Sequence, residues 1–189
     1  ALINNKFKKT FKKKKFLSKL ITPKLKNYIK IKSKIRNIYL KSDINDENMS
    51  NVYTFSKILR ISRSSFIKAM NSFVGLPHRY EIFLKKKNIT FINDSKATSF
   101  QATKFALKNS KNIYWIVGGL PKKKDKIILN DVKKNIIKSY LIGKNISFFR
   151  KHFKNKINFL ISKNLRNSII KIFKDIKLFN KKESTILLS

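Results

Sequence analysis

Asp94, Lys96 and Thr98 place a carboxylate, an ammonium and a hydroxyl within one short stretch, Asn93-Asp94-Ser95-Lys96-Ala97-Thr98. These are ligand-binding types rather than core-filling ones, and their neighbours on both sides are apolar. Ile89, Phe91 and Ile92 read as the end of a short buried strand. Beyond the polar cluster, Phe100, Ala102, Phe105, Ala106 and Leu107 recur at helical intervals. Thr98 with Gln101 three residues later is a capping-box signature, which predicts a helix from Ser99. A strand that ends in a carboxylate and a lysine, followed by a helix N-terminus, presents its binding groups at the carboxyl edge of a sheet. In open α/β folds ligands sit at that edge, and the unpaired amides of the helix favour an anion. The plainer alternative is a strand-to-helix turn capped by Asp94 or Thr98.

Further candidates stand at breaks in the apolar pattern. Gly75-Leu76-Pro77 interrupts a helical stretch and Arg79 follows directly. A hinge arginine can pair with phosphates through its planar fork; the alternative is a surface ion pair with Glu81. Ile113 to Val117 forms a second buried strand ended by Gly118-Gly119. Paired glycines there let the backbone approach a ligand or a neighbouring helix closely. Lys122 lies just beyond, in a lysine cluster closed by Asp125. Neither G-x-G-x-x-G nor G-x-x-x-x-G-K-[ST] occurs among the 4 glycines.

The 189 residues hold 42% hydrophobic side chains and 16 Phe, which argues for a packed chain. Forty-six Lys and Arg against 9 acids give a formal charge of +37. Such an excess points toward nucleic acid when it marks one element. Here the lysines accompany Asn, Ile and Phe throughout, which favours a bias of overall composition. Cysteine is absent, so neither disulfides nor thiolate metal sites are expected. His78 and His152 are too far apart in sequence for a metal motif, and no metal ligand is assigned. No apolar run reaches the ~20 residues of a membrane span, and the basic start lacks an apolar signal core.

Along the chain, Lys12 to Lys15 form a like-charge run expected in a solvated loop or edge. Tyr28 to Ile31 and Ile35 to Leu40 suggest two short strands, with a basic arm for nucleic acid as the alternative. Asp43 to Ser72 reads as helical. Asp46 or Asn45 caps the first helix, whose apolar face is Met49, Val52, Tyr53, Phe55, Ile58 and Leu59. Phe66, Ile67, Met70 and Phe73 stripe the second. After the glycine pair come a strand over Ile136 to Ile142, a helix from Ile146 to Phe153 and a strand from Ile157 to Leu160. A helix from about Asn164 to Asp175 and a strand from Thr185 to Leu188 complete the set. Alternation at this spacing predicts an α/β fold whose C-terminal part is Rossmann-like, with a mostly parallel sheet.

Asn93-Asp94-Ser95-Lys96-Ala97-Thr98 also resembles the Asn-Asp-Ser-Lys-Ala-Thr motif of the Mur ligases, in the branch that adds D-glutamate during peptidoglycan synthesis. Three further segments match in order: Gly75-Leu76-Pro77-His78-Arg79-Tyr80-Glu81, then Trp115-Ile116-Val117-Gly118-Gly119 with Lys122 and Asp125, then Tyr140-Leu141-Ile142-Gly143. Ile186 to Ser189 resembles the start of that family's last conserved segment. Asn45-Asp46-Glu47-Asn48 resembles its His-Asn-x-x-Asn segment, with Ile44 where histidine usually stands. The resemblance runs from about Asn45 to the C-terminus and is faint before it.

The resemblance implies residues 1–75 as the end of a central α/β ATP-binding domain. It implies residues 76–189 as a C-terminal substrate-binding domain truncated at its end. ATP and Mg2+ would be the cofactors, and UDP-N-acetylmuramoyl-L-alanine and D-glutamate the substrates of an acyl-phosphate route to an amide. Asn48, Arg79, Asp94 and Lys96 would hold the nucleotide, Asp94 through the ribose. Thr98 and Lys122 would bind the D-glutamate carboxylates, with the register open to a slip onto Lys123. The family's phosphate loop and magnesium ligands would precede Ala1, so no catalytic residue is expected in the chain, which alone should be inactive. A cytoplasmic monomer without nucleic-acid or membrane partners is the matching expectation. A basic nucleic-acid-binding module and a non-catalytic remnant are the alternatives.

Overall fold

The computed structural model describes residues 3, 9–10, 20–40, 43–122, 125–180 and 182–189. The chain divides into two units, Ala1–Val74 and Gly75–Ser189. The lysine run at 12–15 lies outside the described residues.

The first unit is helical: α1 (Leu25–Lys32), α2 (Asp46–Ile58) and α3 (Arg63–Ser72). The two short strands expected over residues 28–40 do not form; the segment is α1 followed by turns. Tyr28 and Ile31 fall three residues apart, so one face of the helix buries both, whereas a strand would send them to opposite faces, and Ile35 joins them from beyond the turn that ends α1. They pack with Met49, Tyr53 and Phe66, the Tyr53 and Phe66 rings standing 4.9 Å apart. Neither proposed cap of α2 acts through its side chain. Asn45 occupies the cap position but donates instead to the Tyr39 carbonyl at 2.8 Å, and Asp46 pairs with Lys32 of α1 at 2.8 Å. The apolar face of α2 is also narrower than its sequence suggests. Met49 and Tyr53 are buried, while Val52, Phe55, Ile58 and Leu59 are exposed.

The second unit is a six-stranded sheet in the order β1-β2-β6-β3-β4-β5. Its strands are β1 (Glu81–Lys86), β2 (Ile89–Asn93), β3 (Ile113–Val117), β4 (Ile136–Leu141), β5 (Phe159–Ile161) and β6 (Ser184–Leu188). Only β1 runs antiparallel, on the edge beside β2. The helices are α4 (Phe100–Asn109), α5 (Ile146–Phe153) and α6 (Leu165–Phe179). The mostly parallel α/β sheet is thus present. β1 is an addition that the lysines of Glu81 to Lys86 concealed.

Every residue of β3 is buried, as a strand covered on both faces must be. Trp115 points to one face, against Phe100 of α4 and Phe153 of α5. Tyr114, Ile116, Tyr140 and Ile186 point to the other, with Ile172 of α6. The Tyr140 hydroxyl donates to Asp175 of α6, and Lys138 reaches the same oxygen at 2.8 Å. The chain leaves β2 through α4, skips one position to β3, and later returns β6 into the gap. That reversal opens a crevice at the carboxyl ends of β2, β6 and β3. No helix among the described residues is long and apolar enough to cross a membrane.

Candidate functional site

The loop after β2 is built by its own side chains. Asn93 Oδ1 accepts the Ser95 amide at 3.1 Å and its Nδ2 meets His78 Nδ1 at 2.8 Å. The Lys96 amide donates to the His78 carbonyl at 3.0 Å, and the Asp94 amide to the Leu188 carbonyl at 2.8 Å. The polar loop is thereby fastened both to the segment before β1 and to β6. The Lys96 and Thr98 side chains are exposed at the crevice.

Asp94 is the buried charge of the site, only 6% exposed. One oxygen, Oδ1, accepts the Tyr80 amide at 2.9 Å. The other, Oδ2, is buried and has no hydrogen-bond partner. Burial pushes the Asp94 carboxyl up to about 6, against the opposing pull of the Tyr80 amide and the Arg79 charge. Holding that amide in place requires unusual backbone: Tyr80 has φ 48° and His78 φ 63°, a region bulky residues rarely enter. Glu81 binds the His78 amide at 2.8 Å and lies 3.6 Å from His78 Nδ1. The expected alternative partner of Arg79 is therefore engaged with His78, leaving the exposed guanidinium beside Asp94.

The N-terminus of α4 differs from the expectation. The helix starts at Phe100, and its cap is Ser99, whose Oγ accepts the Ala102 amide at 3.4 Å. Neither Thr98 nor Asp94 caps it, because the turn holding Asp94 inward shifts the cap one residue on. The anion attracted to the free amides is the chain's own: Asp125 accepts from the Phe100 amide at 3.0 and 3.3 Å through its two oxygens. Sequence reasoning missed this contact because the partners lie 25 residues apart. The Asp125 amide donates to the Lys122 carbonyl at 2.8 Å, so one residue clamps the Lys122 loop to α4.

A cavity of about 210 Å³ opens between this clamp and the sheet, lined by Thr98, Phe100, Trp115, Gly118, Asp125 and Ser189 among others. Trp115 Nε1 donates to Ser189 Oγ at 2.8 Å, fixing a hydroxyl at the carboxyl end of β6. Gly118 is required by the backbone just beyond β4 rather than by a helix: a Cβ there would stand 2.6 Å from the Ile142 carbonyl oxygen. Gly119 has φ 100° with open space around it. Lys122 is exposed and does not line the cavity, while Lys123 lies outside the described residues. Asn48 is exposed on α2 of the first unit. Among the described residues no group of three or more His, Cys, Asp or Glu is arranged to hold a metal ion.

Asp125→Ala is expected to destabilise the second unit by about 1 kcal/mol, the usual cost of a lost helix cap. Trp115, the only tryptophan, lines the same cavity, so its emission should shift to the red as the loop opens. Unchanged urea unfolding with an unchanged spectrum would show that Asp125 clamps nothing.

The fold is that of a Mur ligase. MurF from Acinetobacter baumannii superposes with a TM-score of 0.59 in one crystal structure and 0.56 in another, at 13% and 14% identity. The first comparison covers 78% of this chain and 35% of that one. In sequence, a UDP-N-acetylmuramoylalanine–D-glutamate ligase of the Wolbachia of Brugia malayi is 37% identical over 145 residues, 77% of this chain. The enzymes of the same name from Wolbachia pipientis wMel and Rickettsia felis are 34% and 33% identical over the same length. Over the matched segment the chain is thus similar in sequence to ligases of this name and in fold to a Mur ligase. It spans 28–32% of the length of these curated relatives. No protein-family model matches it.

Proposed function

We propose that the chain is part of an ATP-dependent ligase that joins D-glutamate to UDP-N-acetylmuramoyl-L-alanine. The first unit would be the end of the central ATP-binding domain and the second the C-terminal substrate-binding domain. The observation that carries this reading is the 37% identity to a relative of that name. The relatives are more than three times as long as the shared segment, so the reaction is assigned to the whole enzyme.

In this reaction a carboxylate oxygen of the UDP-linked substrate attacks the γ-phosphorus of ATP and ADP leaves. The amine of D-glutamate then attacks the acyl carbon, the bond to phosphate breaks, and the amine loses its proton to solvent. The chemistry is chiefly positioning and charge stabilisation. Asp94 fits a nucleotide ribose, because its buried Oδ2 lacks the donor that a sugar hydroxyl supplies. Arg79 and Lys96 bring positive charge to the same edge, suited to the phosphates, and Asn48 is assigned to the nucleotide by the resemblance alone. Thr98 and Lys122 receive the D-glutamate carboxylates as hydroxyl and ammonium donors. Magnesium supplies neutralisation of the phosphate charge when bound, and no residue of this chain is assigned to it. The enzyme is read as a cytoplasmic monomer.

The test is a hybrid ligase in which the matched 145-residue segment of the Wolbachia relative is replaced by the one from this chain. Phosphate release that requires ATP, UDP-N-acetylmuramoyl-L-alanine and D-glutamate together is the expected result. A hybrid with native circular dichroism that releases no phosphate, beside an active parent, would overturn the reading. The 189-residue chain alone should release none, lacking a glycine-rich phosphate loop.

A further inference from the structure

The amino edge of the same sheet, opposite the carboxyl edge described above, carries a second and larger concavity of about 500 Å³. Its rim includes Lys85, Lys87 and Lys111, which come from three separate places: the end of β1, the β1–β2 turn and the loop before β3. None of the three has a carboxylate within ion-pair distance among the described residues, and Glu183 is the one acid on the lining. Thr90 and Thr185 lie on the lining as register partners on β2 and β6.

Lysines are common on this chain, so their number near a hollow decides little; how they are brought there decides more. Ile82 and Lys85 are three residues apart, and a regular strand would send them to opposite faces. The irregularity in β1 between Ile82 and Leu84 cancels that alternation. Ile82 then pairs with Ile92 and Lys85 with Thr90, and all four line the concavity. Bulges re-aim side chains in this way. Lys87 stands at φ 53°, where a side chain other than glycine, asparagine or aspartate is uncommon. Asn88 completes the turn and donates to the Lys182 carbonyl at 3.0 Å, fixing the turn against the segment before β6.

We propose that this amino-edge concavity is a binding site for a small phosphorylated molecule, the three ammonium groups receiving a phosphate or pyrophosphate group above the two threonine hydroxyls. The lysine ammonium donates to phosphate oxygens as a point charge without a planar geometric demand, and hydroxyls complete the bonding of tetrahedral oxygens. A carboxylate ligand would leave most of this positive charge unanswered. The site is separate from the carboxyl-edge cavity and does not depend on the ligase reading.

The test uses the 189-residue chain, isotopically labelled, titrated with inorganic pyrophosphate at constant ionic strength and followed by amide NMR shifts. Saturable shifts should centre on Lys87, Thr90, Lys111 and Thr185. Lys85→Gln with Lys111→Gln should weaken binding about tenfold or more, as loss of charged contacts does. A control that removes the same charge elsewhere, Lys154→Gln with Lys174→Gln, should change it less than twofold. Thr90→Val with Thr185→Val, which keeps the charge and favours the strands, should weaken binding several-fold. Non-saturable shifts spread over all lysine-rich surfaces, equal losses in the control, or shifts confined to Thr98 and Gly118 would each overturn the proposal.

Discussion

Lys122→Ala in the hybrid ligase is expected to raise the KM for D-glutamate by about one to two orders of magnitude, with the KM for ATP nearly unchanged. Lys122 is an exposed ammonium on a loop whose backbone is clamped by Asp125 to the N-terminus of α4. Removing it would delete the proposed contact to D-glutamate and leave the clamp, the cavity and the sheet in place. The split between the two KM values is the diagnostic part. A lysine that only contributed to the general positive field would weaken the phosphate-bearing substrates as well, in proportion to their charge. If Lys123→Ala gave the D-glutamate effect instead, the loop register would be displaced by one residue. If neither variant moved that KM, the loop would have no part in binding D-glutamate.

The contrast between Lys122 and Asp125 shows which parts of the site could be inferred before its structure. Local chemistry was legible. The apolar strand before Asp94, the helical spacing after Thr98 and the glycine pair after Val117 all follow from patterns a few residues long. The elements carrying them lie within a residue or two of their expected bounds. What was hidden depended on contacts between distant segments. Asp125 accepts the first amide of a helix 25 residues away, and Trp115 holds Ser189 from 74 residues away. Neither pairing leaves a local signal. A second kind of miss came from lysine. In Glu81 to Lys86 it interrupted the alternation that marks a strand, and around Tyr28 it disguised a helical stripe as two short strands. In a chain with 46 basic residues, lysine fills exposed positions of helix and strand alike, and polarity patterns lose contrast. The two-residue turn at Lys87-Asn88 contains no glycine and follows a lysine run, so it gave no hairpin signal for β1 either.

Asp94→Asn is expected to remove a pH dependence that the unmodified chain shows between about pH 4 and 6. The folded carboxyl titrates at about 6 against an ordinary value of 3.8, chiefly because burial penalises its charge. A carboxyl raised by folding is protonated more readily in the native state than in the unfolded one. Stability is therefore highest below the unfolded value and falls as pH rises through the interval, levelling above about 6. At about 1.4 kcal/mol for each pH unit, the loss is on the order of 3 kcal/mol for this nearly buried group. Asparagine keeps an acceptor for the Tyr80 amide but cannot ionise. The difference between the two stability curves isolates Asp94 from the other carboxylates, and at pH 7 the variant should be at least as stable as the parent. Urea unfolding followed by the emission of Trp115, which lies in the second unit, measures this directly. A variant less stable at pH 7, with a difference that does not vary with pH, would show that Asp94 serves the fold and bears no cost of ionisation. In the hybrid ligase the same substitution should raise the KM for ATP more than that for D-glutamate. A donor supplied to Oδ2 by the nucleotide favours the ionised carboxyl, so ATP affinity in the parent hybrid should decline as pH falls below about 6. Asp94→Asn should bind ATP more weakly and without that decline. Equal pH profiles in parent and variant would separate the buried carboxylate from nucleotide binding altogether.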